Sequence, residues 1–130
     1  MKLLLDTHIW IWSVSDFGRL SRRVAKELDS PQNEIWLSPI SIWEAMYLHR
    51  KGRLKVKEGF STWLKRALTI FSFTEAPFTF DVAEAIATIS LTQADPADLF
   101  LAGSAKAFGL TLVTSDRNLI RAKEISVLEN

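Results

Sequence analysis

Residues 95–116 read DPADLFLAGSAKAFGLTLVTSD, and the fold turns on how that stretch divides. Asp95 is a natural helix cap, and Pro96 suits the first helical position, where its missing N–H costs nothing. Asp98 falls third, and Leu101, Ala102 and Ala105 share its face. The helical pattern runs from Pro96 to Phe108 and stops at Gly109, the residue type that closes a helix most easily. A strand-length apolar run, Leu110 to Thr114, follows at once, and Asp116 stands just past its end. A helix that hands straight over to a buried strand is the second half of a βαβ unit.

Working outward, the same alternation covers the chain. Further strand-length runs lie at Leu3 to Leu5, Glu34 to Leu37, Phe71 to Thr74 and Ile125 to Leu128. Helical patterns separate them: Ser21 to Asp29, with Val24 and Leu28 four apart; Ile40 to Arg50, stopped by Gly52; Phe60, Trp63, Leu64, Ala67 and Phe71; and Phe80 to Ser90. Such alternation predicts an α/β fold with a mostly parallel sheet flanked by helices on both faces. There is no repeat, low-complexity tract or linker-like shift, so residues 1–130 are expected to form a single domain.

At 130 residues the chain is long enough to bury roughly two-thirds of its unfolded surface in one core. It has no cysteine, which excludes disulfides, thiolate zinc sites and a cysteine nucleophile, and suits a reducing cytoplasm. No basic leader and no run of 18 apolar residues is present, so the expectation is a soluble, unprocessed, cytoplasmic protein with no membrane partner. Sixteen Lys and Arg against fifteen Asp and Glu leave a net charge of +1, which neither favours nor excludes nucleic acid as a partner. The densest basic run is Arg50, Lys51, Arg53, Lys55 and Lys57, after His49. It reads either as cations complementing a helix C-terminus or as an edge that meets phosphates.

Four carboxylates carry the chemistry. Asp6 directly follows three leucines, although aspartate is a poor strand former and costly to bury. In parallel α/β sheets the strands' carboxyl ends share one edge, where ligands bind, and Asp6 and Asp116 both belong there. Asp116 has a plainer reading as the cap of a helix at DRNLI. Asp98 has one too, as an acid complementing the helix dipole, worth a few tenths to about 1 kcal/mol. Its helix returns antiparallel to the strands, however, so its N-terminus also reaches the carboxyl edge. Glu44 has capping-box spacing from Ser41, but the helix is equally natural with Ser38 as cap and Pro39 first. Glu44 then falls among Ile40, Trp43, Tyr47 and Leu48, within the apolar arc.

Two unit charges about 4 Å apart at an effective dielectric of about 20 repel by about 4 kcal/mol, so a cation is expected among these acids. All-oxygen ligation suits Mg²⁺ or Mn²⁺, and Mg²⁺ takes one or two carboxylates, waters and substrate phosphate oxygens. The implied substrate class is phosphate esters, with metal-activated water as nucleophile. Phosphate-binding and dinucleotide-binding glycine loops are absent. His8 and His49 form no ligand pair and read as packing or surface residues. The five tryptophans read chiefly as core or interface rather than as base-stacking platforms.

The motifs LLLDTHIW, SPISIWEA, DPADLFLAGSA and LVTSD, in that order, resemble those of PIN-domain nucleases, most closely VapC-type toxins of toxin–antitoxin pairs. The resemblance spans essentially the whole chain. It implies a five-stranded parallel sheet and metal-dependent cleavage of RNA. It makes Asp6, Glu44, Asp98 and Asp116 the catalytic metal site, and Thr7 and Thr114 hydroxyl supports of its carboxylates. Relatives often carry Arg where this chain has Leu99. The resemblance also implies a cognate antitoxin over the active-site groove and a homodimer, and the apolar stretch Trp10 to Val14 is a candidate interface. Arg22, Arg23, Arg50, Lys51 and Arg53 are the candidate contacts to RNA backbone. The competing readings are a non-enzymatic, Mg²⁺-binding receiver-like module and a PIN fold kept only for protein binding. Receiver domains usually show an acidic pair at the first strand end and a late strand-end lysine, and LDTH and VTSD supply neither.

Overall fold

Leu3, Leu4 and Leu5 are all fully buried, because alternate side chains of their strand enter two separate cores. A computed structural model describes residues 1–130 and places this strand, β1 (Lys2–Leu5), at the centre of a five-stranded sheet. The others are β2 (Glu34–Leu37), β3 (Phe73–Glu75), β4 (Thr111–Thr114) and β5 (Ser126–Glu129). All neighbours pair in parallel in the order β3-β2-β1-β4-β5, with Leu4 opposite both Trp36 and Leu112. The parallel sheet requires cover on both faces, and receives it. The order differs from the 2-1-3-4-5 arrangement of receiver folds, which removes that reading.

The helices are α1 (Thr7–Ser15), α2 (Arg22–Asp29), α3 (Pro39–Arg50), α4 (Phe60–Ala67), α5 (Phe80–Ile86), α6 (Pro96–Phe108) and a single turn, α7 (Arg117–Ile120). On one face, Leu3, Leu5, Ile35 and Val113 pack against Trp10 of α1, Val24 of α2, Ala45 of α3 and Trp63 of α4. On the other, Leu4 and Leu112 pack against Leu101, Ala102 and Ala105 of α6. No helix is long and apolar enough to cross a membrane.

Local chemistry accounts for the boundaries. Ser38 caps α3 through Ile40 N–H, with Pro39 first, so the Ser41–Glu44 capping box does not form. Asp95 accepts from Asp98 N–H at 2.9 Å, and Gly109 closes α6 at φ 64°.

Four expectations need correction. Phe71 belongs neither to α4, which ends at Ala67, nor to β3, which begins at Phe73; it packs edge-on against Phe73. The pattern Phe80 to Ser90 is helical only to Ile86, after which bonds of i to i−3 type tighten the chain from Ala87 to Ile89. Trp10 to Val14 is only partly a free apolar surface, with Trp12 and Val14 half-buried. It lies in α1, with Trp10 fully buried, donating to Ala67 O at 2.9 Å and tilted against Trp63, and Ile11 buried beside it. The apolar arc of α3 is also only partly covered, with Trp43 and Tyr47 exposed.

Candidate metal centre at the carboxyl edge

Strands β2 and β3 lie to one side of β1, and β4 and β5 to the other. The chain therefore reverses direction across the sheet between β1 and β4, which opens a crevice beyond their carboxyl ends. Asp6 follows β1, its N–H bonded to Val113 O at 3.0 Å, and Asp116 follows β4. The N-termini of α3 and α6 arrive at the same edge, bringing Glu44 and Asp98.

Asp6 is buried and tightly held. Its Oδ2 accepts from Thr114 Oγ1 at 2.6 Å and its Oδ1 from Thr7 N–H at 2.7 Å. Burial is the main cause that pushes its carboxyl above the ordinary aspartate range; the Thr114 bond, the His8 charge and the Thr7 N–H oppose it, and Asp116 adds to it. Glu44 is half-buried and accepts from Thr7 Oγ1, which also lies 2.9 Å from Ser41 Oγ. Burial raises Glu44 as well, against the Thr7 bond and with help from Asp6 and Asp95.

Asp98, half-buried, has no hydrogen bond to its carboxylate. Burial, then the charges of Asp95, Asp116, Asp6 and Glu44 in that order, push it up to about 7. Asp116 retains the plainer role as well: its Oδ1 caps α7 through Asn118 and Leu119 N–H at 2.8 and 3.2 Å, and its own N–H donates to Thr114 Oγ1. Thr114 thereby ties Asp6 to Asp116.

The four predicted acids thus share one electrostatic neighbourhood, with Asp98 at its centre. None of the four forms an ion pair, the chain's only one being Arg66 with Glu58, and the one basic group that lowers a cluster acid is His8, acting on Asp6. No three acids or histidines converge tightly enough to ligate one ion unaided. A donor set of carboxylates and hydroxyls suits a hard divalent cation that keeps waters and takes one or two carboxylates.

A cavity of about 340 Å³ opens beside this cluster, lined by Glu44, Asp95, His8, Arg53, Trp43 and Tyr47 among others. A second, of about 420 Å³, continues from His8 and Arg53 to Arg19 and Trp12, where the guanidinium lies 4.4 Å from the indole centroid. Of the predicted basic residues, only Arg53 lines these cavities. Arg50 and Lys51 stand exposed at the end of α3, whereas Arg22 and Arg23 begin α2 and line neither. Leu99 is half-buried next to Asp98. Sequence reasoning missed Asp95 as a charge in the cluster, Arg19, and His8 as a groove residue. Asp95 was legible only as a cap, and Arg19 stands in no basic run.

The PIN domain family model matches residues 3–125. No curated protein sequence matches. Among solved structures, VapBC2 from Rickettsia felis bound to a DNA fragment from its promoter is similar at TM-score 0.75 and 22% identity, over 99% of this chain and 98% of that one. FitAcB from Neisseria gonorrhoeae is similar at TM-score 0.66 and 27% identity, over 97% and 96%. VapBC-5 from Mycobacterium tuberculosis, of the VapBC family of toxin–antitoxin systems, is similar at TM-score 0.61 and 16% identity, over 98% and 96%.

Proposed function

The chain belongs to the PIN-domain family, and from that premise we propose that it is a metal-dependent endoribonuclease, the toxin of a toxin–antitoxin pair. The observation that carries the proposal is the cluster of acids around Asp98 at the carboxyl edge, none of them in an ion pair. Asp6, Glu44, Asp98 and Asp116 would hold Mg²⁺ or Mn²⁺ between them, one or two directly and the rest through its waters, and the ion would supply charge to stabilise phosphate oxygens and lower the pKa of water. Thr114 and Thr7 keep Asp6 and Glu44 in fixed orientation. Arg53, with Arg50 and Lys51 beyond it, holds RNA backbone. Arg22 and Arg23 remain candidates for a longer strand.

That the VapBC-5 neighbour is a member of a family of toxin–antitoxin systems supports an antitoxin partner for this chain, bound over the groove. A homodimer completes the proposal.

The test is cleavage of a mixed cellular RNA pool by the purified chain with Mn²⁺, Mg²⁺ or EDTA, with Asp98→Asn alongside. The expected result is cutting that requires the metal and is lost in the variant. RNA left intact while the metal still binds would replace the nuclease by a binding module.

A further inference from the structure

Two of the largest side chains on α3 stand about half exposed. Trp43 and Tyr47, one helical turn apart, are 55% and 47% exposed. Their rings lie 5.7 Å apart at 19°, a stacked arrangement. Lys51 Nζ sits 5.5 Å from the Tyr47 ring centroid. The same two rings line the cavity that Arg53, Glu44 and Asp95 also line. Aromatic surface, the Arg53 guanidinium and the carboxylates of Glu44 and Asp95 therefore meet in one recess, whose volume falls within the range of ligand pockets.

Each component matches a part of one nucleotide. An unpaired base has a π-face for the rings, and its phosphate has a charge for Arg53 or Lys51. We infer that this recess is a nucleotide subsite in which an unpaired base beside the cleavage point stacks on Trp43 and Tyr47 while Arg53 meets its phosphate. The inference rests on the ribonuclease reading above and assigns this chain's own side chains to one nucleotide of that substrate. The cations favour RNA over an apolar protein segment as occupant. On its far side Trp43 borders a separate apolar hollow with Pro39, Ile40, Phe78 and Phe100, and a protein contact there is the competing outcome. Of the tryptophans expected as core or interface, Trp10 and Trp63 are core and Trp43 is exposed.

The experiment measures binding of a short fluorescein-labelled RNA, single-stranded or annealed to its complement, in Mg²⁺ by the Asp98→Asn chain, which keeps the probe intact. Trp43→Ala and Tyr47→Ala are added singly, with Trp43→Phe as the conservative variant and melting temperature as the check on folding. Each alanine is expected to weaken single-strand binding by about tenfold, with Phe restoring most of it and duplex binding unaffected. Unchanged single-strand affinity, or equal losses for duplex, overturns the subsite. If sedimentation shows that Trp43→Ala changes only self-association, the face is a protein contact and the subsite is again overturned. Wild-type cleavage of RNA alongside unchanged variant binding sinks the subsite alone, whereas a wild type that neither binds nor cuts RNA sinks the ribonuclease reading itself.

Discussion

Asp6 and Asp98 are both acids in a like-charged cluster, yet the chain treats them oppositely. Asp6 receives Thr114 O–H and Thr7 N–H, so Asp6→Ala strands buried donors and is expected to cost about 1–3 kcal/mol in urea unfolding. Asp98 receives no donor and four repelling charges. Its folded pKa of about 7 exceeds the ordinary aspartate value of 3.8, so between those pH values the folded chain holds a proton that the unfolded chain has released. The metal-free protein therefore loses stability as pH rises through that window. Asp98→Asn removes the cause. In EDTA at about pH 8 the variant should be more stable than wild type by roughly 1 kcal/mol, and at about pH 5, where Asp98 is already neutral, the gain should shrink towards zero. A loss of stability at both pH values would mark Asp98 as a structural residue of the helix start. With metal present, proton and cation compete for the same carboxylate, so Mg²⁺ affinity by calorimetry should fall as pH drops below about 7.

Asp98 is only as well placed as α6, and α6 is fixed by how closely it approaches α5. At Gly103 a Cβ would stand 2.6 Å from Ile86 Cγ1 and 2.9 Å from Val82 O, the second a backbone atom that moves only with its helix. Gly103→Ala should cost about 1–3 kcal/mol, seen as a melting temperature several degrees lower, with weaker Mg²⁺ binding because the shift reaches Asp98. This element also shows what is legible from sequence. The boundaries of α6 are plain because a cap, a proline and a glycine mark them, and the strands other than β3 are plain because their apolar runs are short and bounded. Helix α1 is not, because Thr7–Ser15 is rich in β-branched and aromatic residues, and burial of Trp10 against Trp63 overrides that local preference. The acids stand out by their place after strands and at helix starts. Arg19 and Asp95 enter the groove through tertiary folding that no local spacing records.

A net charge of +1 conceals an uneven surface, with acids gathered at the strand ends and cations trailing from α3 along Arg50, Lys51 and Arg53. Without a divalent ion the acidic cluster repels RNA phosphates, so affinity in EDTA should be well below that in Mg²⁺. The remaining attraction must come from the cations, and its salt dependence counts them. For single strands the logarithm of affinity falls against the logarithm of salt by about 0.7 per phosphate neutralised. Because Arg53 lines the cavity and Lys51 lies beside Tyr47, the pair Lys51→Ala and Arg53→Ala should flatten that slope by about 1.4, each cation having neutralised one phosphate. Arg22 and Arg23 begin a different helix and line neither cavity. Their replacement should flatten the slope only for RNA long enough to leave the groove and cross α2. Slopes measured with a short and a long strand therefore trace the path of RNA: equal effects of the two pairs on the short strand would move the binding track from the end of α3 to α2.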